Sequence, residues 1–141
     1  TVPEDSILVS ATKGIECGSL MTISQIFEDV FGETHDHNFA YLSGPSFAQE
    51  LAHRIPTAVT VAAEDDAVAG KVQKAISTDY FRCYTTNDVI GVEIGGALKN
   101  VIAIAAGTAD GLGLGLNTQA AIITRGLAEI SRLAVKMGQI R

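Results

Sequence analysis

The feature that most constrains this chain is a change of rhythm at Asp88. Before it, short apolar runs alternate with longer stretches of helical spacing; after it, only helical spacing remains. Ile7-Leu8-Val9-Ser10-Ala11 predicts a buried strand that stops at Thr12-Lys13-Gly14. Leu20 to Phe31 predicts a helix, with Ile23, Ile26, Phe27 and Val30 on one side. Phe39-Ala40-Tyr41-Leu42, Thr57 to Ala62 and Phe81 to Thr85 predict three further strands. Ser46, with Gln49 three residues on, fits a capping box, and Asp65-Asp66 put negative charge at the start of a helix reaching Ile76. Thr86-Asn87-Asp88 offers caps for a long helix from Val89 to about Ala106. The glycines from Gly107 to Gly115 read as a loop, and Asn117 or Thr118 would cap a last helix to about Met137. This alternation predicts an α/β fold: a partial Rossmann-type parallel sheet with helices in residues 1–88, then the start of an all-helical domain in residues 89–141.

Composition agrees and removes some classes of function. The 141 residues are 47% hydrophobic with no Trp, which suits close-packed layers. A formal charge of −6 argues against nucleic acid or an anionic membrane as partner, while leaving room for a local basic pocket. Cys17 and Cys83 form no metal-binding spacing, and an intracellular, reduced protein without a structural disulfide is expected. Thr1 to Ser6 is polar and acidic, unlike a signal peptide. The apolar stretch from Val89 to Ala109 is interrupted by Glu93, Lys99 and Asn100, so no membrane span is expected. A soluble protein follows, in the cytoplasm first and in an organelle second. Because the chain starts without Met and stops straight after a helical pattern, it is expected to be an internal piece of a longer protein.

Few residues are placed to carry chemistry. Lys99 lies on a helix whose other ionisable group, Glu93, is six residues away and so not on its face. Gly95, Gly96 and Ala97 just upstream remove bulk, letting a backbone or a ligand come close. Lys99 is either a solvent-facing lysine with its stem along the surface or a functional base. Lys13 follows a strand at what would be the C-terminal edge of the sheet, where open α/β folds bind ligands, or it is an ordinary loop lysine. Gly44-Pro45-Ser46 also leads from a strand into a helix, whose free amides suit anions, although a structural cap would use the same residues. The glycines at 111, 113 and 115 do not make a dinucleotide fingerprint, since the third required position is Leu116 and a helix precedes them. His35-Asp36-His37 sits in a polar loop with no third ligand nearby, and no metal site is expected.

Four strings occur in order: Ser10-Ala11-Thr12-Lys13-Gly14-Ile15-Glu16, Leu42-Ser43-Gly44-Pro45-Ser46-Phe47-Ala48-Gln49-Glu50, Gly91 through Ile104 around Gly-Ala-Leu-Lys-Asn, and Thr124-Arg125-Gly126-Leu127-Ala128-Glu129-Ile130. Together they resemble the bacterial-type NAD(P)-dependent glycerol-3-phosphate dehydrogenases, over nearly the whole chain. The resemblance implies that Lys99 is the catalytic base and also touches substrate, and that Asn100 beside it helps to hold the substrate or order the site. It implies that Lys13 contacts both cofactor and substrate, that Gly44 and Ser46 line the substrate site, and that Ala48 touches the cofactor, NAD or NADP. The implied substrates are glycerol 3-phosphate and dihydroxyacetone phosphate, and a homodimer is compatible with it. The family's glycine-rich pyrophosphate loop, and an aspartate and Arg-Asn pair that serve the substrate, are expected before Thr1 and after Arg141. Two other classes stay open. One is a 3-hydroxyacid or 6-phosphogluconate type dehydrogenase, whose Lys-x-x-x-Asn pattern fails here because position 103 is Ala. The other is a non-catalytic binding protein derived from this fold.

Overall fold

The computed structural model describes residue 3, residues 6–32 and residues 38–138. His35 and His37, and the expectation attached to them, lie outside the described residues. In chain order the elements are β1 (Leu8–Ser10), α1 (Ile23–Phe31), β2 (Phe39–Ser43), α2 (Ala48–Ala52), β3 (Thr57–Ala62), α3 (Asp66–Ile76), β4 (Phe81–Thr86), α4 (Val89–Gly111) and α5 (Gly115–Met137).

The strands form one sheet in the order β1-β2-β3-β4. β1 pairs parallel with β2, and β3 parallel with β4. The middle pair departs from the expected parallel sheet, because β2 and β3 run antiparallel, with Leu42 opposite Val61. The connections explain the difference. A parallel return needs a crossover that packs back onto the sheet. α1 and α3 supply one for each parallel pair, but α2 has five residues and buries none of them, so the chain turns back instead. The α/β class with helices on the sheet stands.

Alternation along the strands divides the apolar side chains between two faces. Ala40, Val59, Val61 and Cys83 meet Val68, Ala69 and Val72 of α3 on one face. Phe39, Tyr41 and Ala62 meet Val89 on the other, with Ile23, Phe27 and Val92 from α1 and α4 against them. Phe27 sets α1 on this face, its ring 5.0 Å from Phe39 and 6.0 Å from Tyr41.

Of the expected helix caps, two form and two do not. Asp65 and Asp88 do cap α3 and α4, accepting from Ala67 N at 2.7 Å and Gly91 N at 3.0 Å. Ser46 does not cap α2, which starts one residue later behind Phe47, so the Ser46–Gln49 box does not form. The glycine-rich loop is mostly helix: α4 continues to Gly111, where leaving the glycines in helix costs about 1 kcal/mol each and tertiary packing on α5 overrides propensity. Only residues 112–114 turn, with Gly113 at φ 67°. α5 therefore begins at Gly115, and Thr118 donates back to Leu114 O at 3.0 Å instead of capping.

α4 and α5 form a helical hairpin held by a close approach at Gly126, where a Cβ would run into the Ile102 side chain. α4 is long and apolar enough to cross a membrane by length and composition. Its N-terminal half instead packs on the sheet, with Ile94 fully buried. Outward faces of the hairpin and sheet edge stay apolar: Val9, Ile104, Ile123 and Leu127 are exposed, whereas Ile122 is half-buried.

Candidate active site

Because β1 and β2 run parallel, the segments that follow them leave the sheet at the same edge. This places Lys13 and Gly44 side by side. Gly44 has φ 149°, and a Cβ on it would stand 2.8 Å from Val59 Cα and 3.0 Å from Ala58 O. The chain thus passes directly over β3 at a point that only glycine fits. It continues through Pro45, Ser46 and Phe47 into α2.

α4 approaches from the other side. Gly96 is buried, and a Cβ there would overlap the Ser43 hydroxyl and stand 3.7 Å from Lys13 Cγ. The Lys13 stem therefore lies along α4 at Gly96. Lys99, half-buried, follows three residues later on the same face of the helix. Lys13, Gly44, Pro45, Ser46, Phe47, Glu50 and Lys99 line one cleft of about 280 Å³.

The electrostatics of the cleft are set by two ammonium groups. Burial, and after it the positive charge of Lys99, hold the Lys13 pKa below the ordinary lysine value. Like charges brought together at backbone-lined strand ends suit a small anion or a developing oxyanion. A roomier hollow of about 400 Å³ between α1, β2 and α4 is lined by Glu28 and Glu64 and by no lysine or arginine. That hollow therefore offers an anion no positive charge. Among the described residues no group of three or more His, Cys, Asp or Glu is placed to hold a metal.

The sequence candidates separate into two sets. Lys13, Gly44, Ser46 and Lys99 come together. Asn100, about 100° further round α4, is exposed and does not line the cleft, and neither does Ala48, exposed on the first turn of α2. Two residues escaped sequence reasoning. Glu50 brings a carboxylate into the cleft, and its only signal was its place at the end of the Leu42–Glu50 string. Glu93, weighed as a partner for Lys99, is engaged by Ser24 of α1 instead. The clue was a charge on an otherwise apolar helix, which demands a partner.

An α/β protein with a two-lysine cleft at the strand ends is the class that fold and site define. Two family models match the chain: the NAD-dependent glycerol-3-phosphate dehydrogenase N-terminus over residues 1–69 and the C-terminus of the same family over residues 88–141. The glycerol-3-phosphate dehydrogenase, NAD(P)+, of Citrifermentans bemidjiense is 58% identical over 137 residues, covering 97% of this chain and 41% of that protein. The crystal structure of glycerol-3-phosphate dehydrogenase from Coxiella burnetii is similar with a TM-score of 0.83 and 38% identity, over 95% of this chain and 40% of that one. The structure of DsGPDH of Dunaliella salina is similar with a TM-score of 0.86 and 28% identity, over 99% of this chain and 26% of that one. The chain belongs to the NAD-dependent glycerol-3-phosphate dehydrogenase family. It spans about 41% of the length of the curated relatives it matches.

Proposed function

We propose that this chain supplies the lysine pair of an enzyme that interconverts sn-glycerol 3-phosphate and dihydroxyacetone phosphate by hydride transfer with NAD or NADP. The observation that carries it is the meeting of Lys13, Ser46 and Lys99, from a strand end, a helix approach and a helix interior, in one cleft. Lys99 is the general base and acid. In the oxidising direction it takes the proton of the C2 hydroxyl; in the reducing direction its ammonium polarises the carbonyl and returns the proton to the forming alkoxide. Lys13 adds a second positive charge beside that oxygen and the substrate phosphate. The Gly44 backbone and the Ser46 side chain form the wall against which substrate lies.

Lys13 in the cleft and Ala48, exposed outside it on the first turn of α2, are the residues we assign to a dinucleotide. Lys13 brings a cation, and the small exposed side chain of Ala48 leaves room for close approach. The dinucleotide supplies the hydride acceptor when bound, and the protein supplies orientation and charge. We read residues 1–88 as belonging to the dinucleotide-binding domain and residues 89–141 as the beginning of the helical substrate domain. The absence of strands after Asp88 among the described residues supports that division. Free Cys17 and Cys83 fit a reducing, intracellular compartment.

The test is Lys99→Ala in the protein expressed at its full genetic length. It should lower kcat by at least ~10², the lower end for a positioned acid–base group. Dinucleotide affinity should change little. Near-normal turnover in a folded variant would return Lys99 to the role of a surface lysine.

A further inference from the structure

We infer that Glu93 is a positioning residue, which holds the segment carrying Lys13 against the helix carrying Lys99. The inference rests on the proposed pairing of these two lysines at the substrate. Glu93 stands on α4 one turn before Gly96, and its carboxylate reaches across to the first turn of α1. Oε1 accepts from Ser24 N at 2.8 Å, and Oε2 accepts from Ser24 Oγ at 2.6 Å. Ser24 is 6% exposed and Thr22 is fully buried, with Thr22 Oγ1 2.9 Å from the Ser24 hydroxyl. Thr22 N donates to Gln25 Oε1 at 3.0 Å. The free amides at the start of α1 are thus met partly from within and partly by a carboxylate on another helix, where negative charge is favoured.

This contact bears on the site because Lys13 has no helix or strand of its own. It lies in the segment 11–22 between β1 and α1. One end of that segment is fixed to the sheet, where Ser10 pairs with Tyr41. Glu93 fixes the other end, at Ser24, to the helix that carries Lys99. Little slack lies between. Glu16 N donates to Met21 O at 2.9 Å, and the Glu16 carboxylate accepts from Gly18 N at 2.9 Å and Ser19 Oγ at 2.7 Å. A shift at the start of α1 is therefore passed along a tied turn toward Lys13, whose stem already rests against α4 at Gly96. Removing the carboxylate also leaves the Ser24 amide without its acceptor at the start of α1, which favours such a shift.

The experiment compares Glu93→Ala, Glu93→Gln and Ser24→Ala in the protein at its full genetic length, by steady-state kinetics and amide hydrogen exchange. A displacement near 1 Å at a reacting centre costs on the order of 10²-fold, so Glu93→Ala should lower kcat/KM for the phosphate substrate at least ~10-fold. The dinucleotide KM should stay as it was, and amides of residues 12–24 should exchange faster. Glu93→Gln keeps an acceptor oxygen and should restore most of both readouts. A lowered melting temperature with unchanged kcat/KM in the folded variant would mean a purely structural contact and overturn the inference. If Glu93→Ala does not fold, Ser24→Ala removes one donor and decides by the same readouts, unchanged values overturning it. Should the parent show no glycerol 3-phosphate turnover, the proposed function falls. The exchange of residues 12–24 then decides the clamp alone.

Discussion

Replacing Gly44 by alanine tests the physical basis of the cleft wall. A residue with a side chain at φ 149° sits in sparsely populated backbone space, at a cost of order 1–3 kcal/mol. The new methyl would stand 2.8 Å from Val59 Cα and 3.0 Å from Ala58 O, both backbone atoms of β3, so no rotamer change relieves the contact. Val59 is buried in the core at 2% exposure, and overpacking at such a site adds about 1–3 kcal/mol. Together these give a loss of about 2–6 kcal/mol. Gly70→Ala is the control, because Gly70 is within α3 and a Cβ there meets nothing within 4 Å. The same chemical change should stabilise there by up to about 1 kcal/mol. Urea unfolding with a shared m-value reads both as shifts in midpoint. A Gly44→Ala variant within about 0.5 kcal/mol of the parent would refute the claim that backbone contact with β3 dictates glycine.

Three further outcomes are expected. The Lys13 pKa, followed by NMR of labelled lysine, should rise only part of the way to 10.5 in Lys99→Met, because burial is the larger cause of its depression. In the parent, the unfolded state binds the extra proton between the folded Lys13 pKa and 10.5, so this residue's contribution to stability improves as pH rises through that window. Of the two thiols, Cys17 should be labelled at once by a maleimide and Cys83 only on unfolding, since Cys83 is 1% exposed and burial pushes its thiol pKa up; mass spectrometry reads the order. Gly126→Ala should lower the melting temperature, because Ile102 must leave its place against α5 at a cost of about 1–3 kcal/mol that exceeds the gain in helix propensity.

Local pattern carried much of the fold in the sequence. β3 was expected from Thr57 to Ala62 and runs between those residues, because β-branched residues and bounding breakers mark it. The direction of β3 was not legible. It depends on whether the chain between Ser43 and Thr57 can return across the sheet, and five helical residues with no buried face cannot do so. The glycines at 107 and 111 misled for a related reason: propensity opposes helix there, while contact with α5 outweighs it. At the site, Lys13 and Lys99 were legible because a charge among small and apolar residues is conspicuous. Glu93 is as conspicuous a charge, but its role was not legible, because its partner lies 69 residues away in sequence and only the packing of α1 on the sheet brings Ser24 to it.

Glu50 makes the cleft's charge balance a prediction of its own. Two lysines and one carboxylate leave a formal net charge of +1 around the space proposed above for a phosphate-bearing substrate. No salt bridge within 4 Å joins Glu50 to either lysine among the described residues, so its charge acts across the cleft and not by neutralising one partner. A unit charge about 7 Å from another, at an effective dielectric of about 50, is worth about 1 kcal/mol. Screening over about 10 Å at 0.1 M salt removes roughly half of that. Glu50→Gln should therefore lower KM for the phosphate substrate about 2–3-fold at 0.1 M salt, since about 1.4 kcal/mol corresponds to tenfold. The gain should vanish near 1 M, where the screening length shrinks to about 3 Å. With a neutral triol in place of the phosphate ester the same substitution should do almost nothing. A higher KM for the phosphate substrate in Glu50→Gln would refute the electrostatic account, and would show that the carboxylate holds the substrate by accepting a hydrogen bond from a hydroxyl.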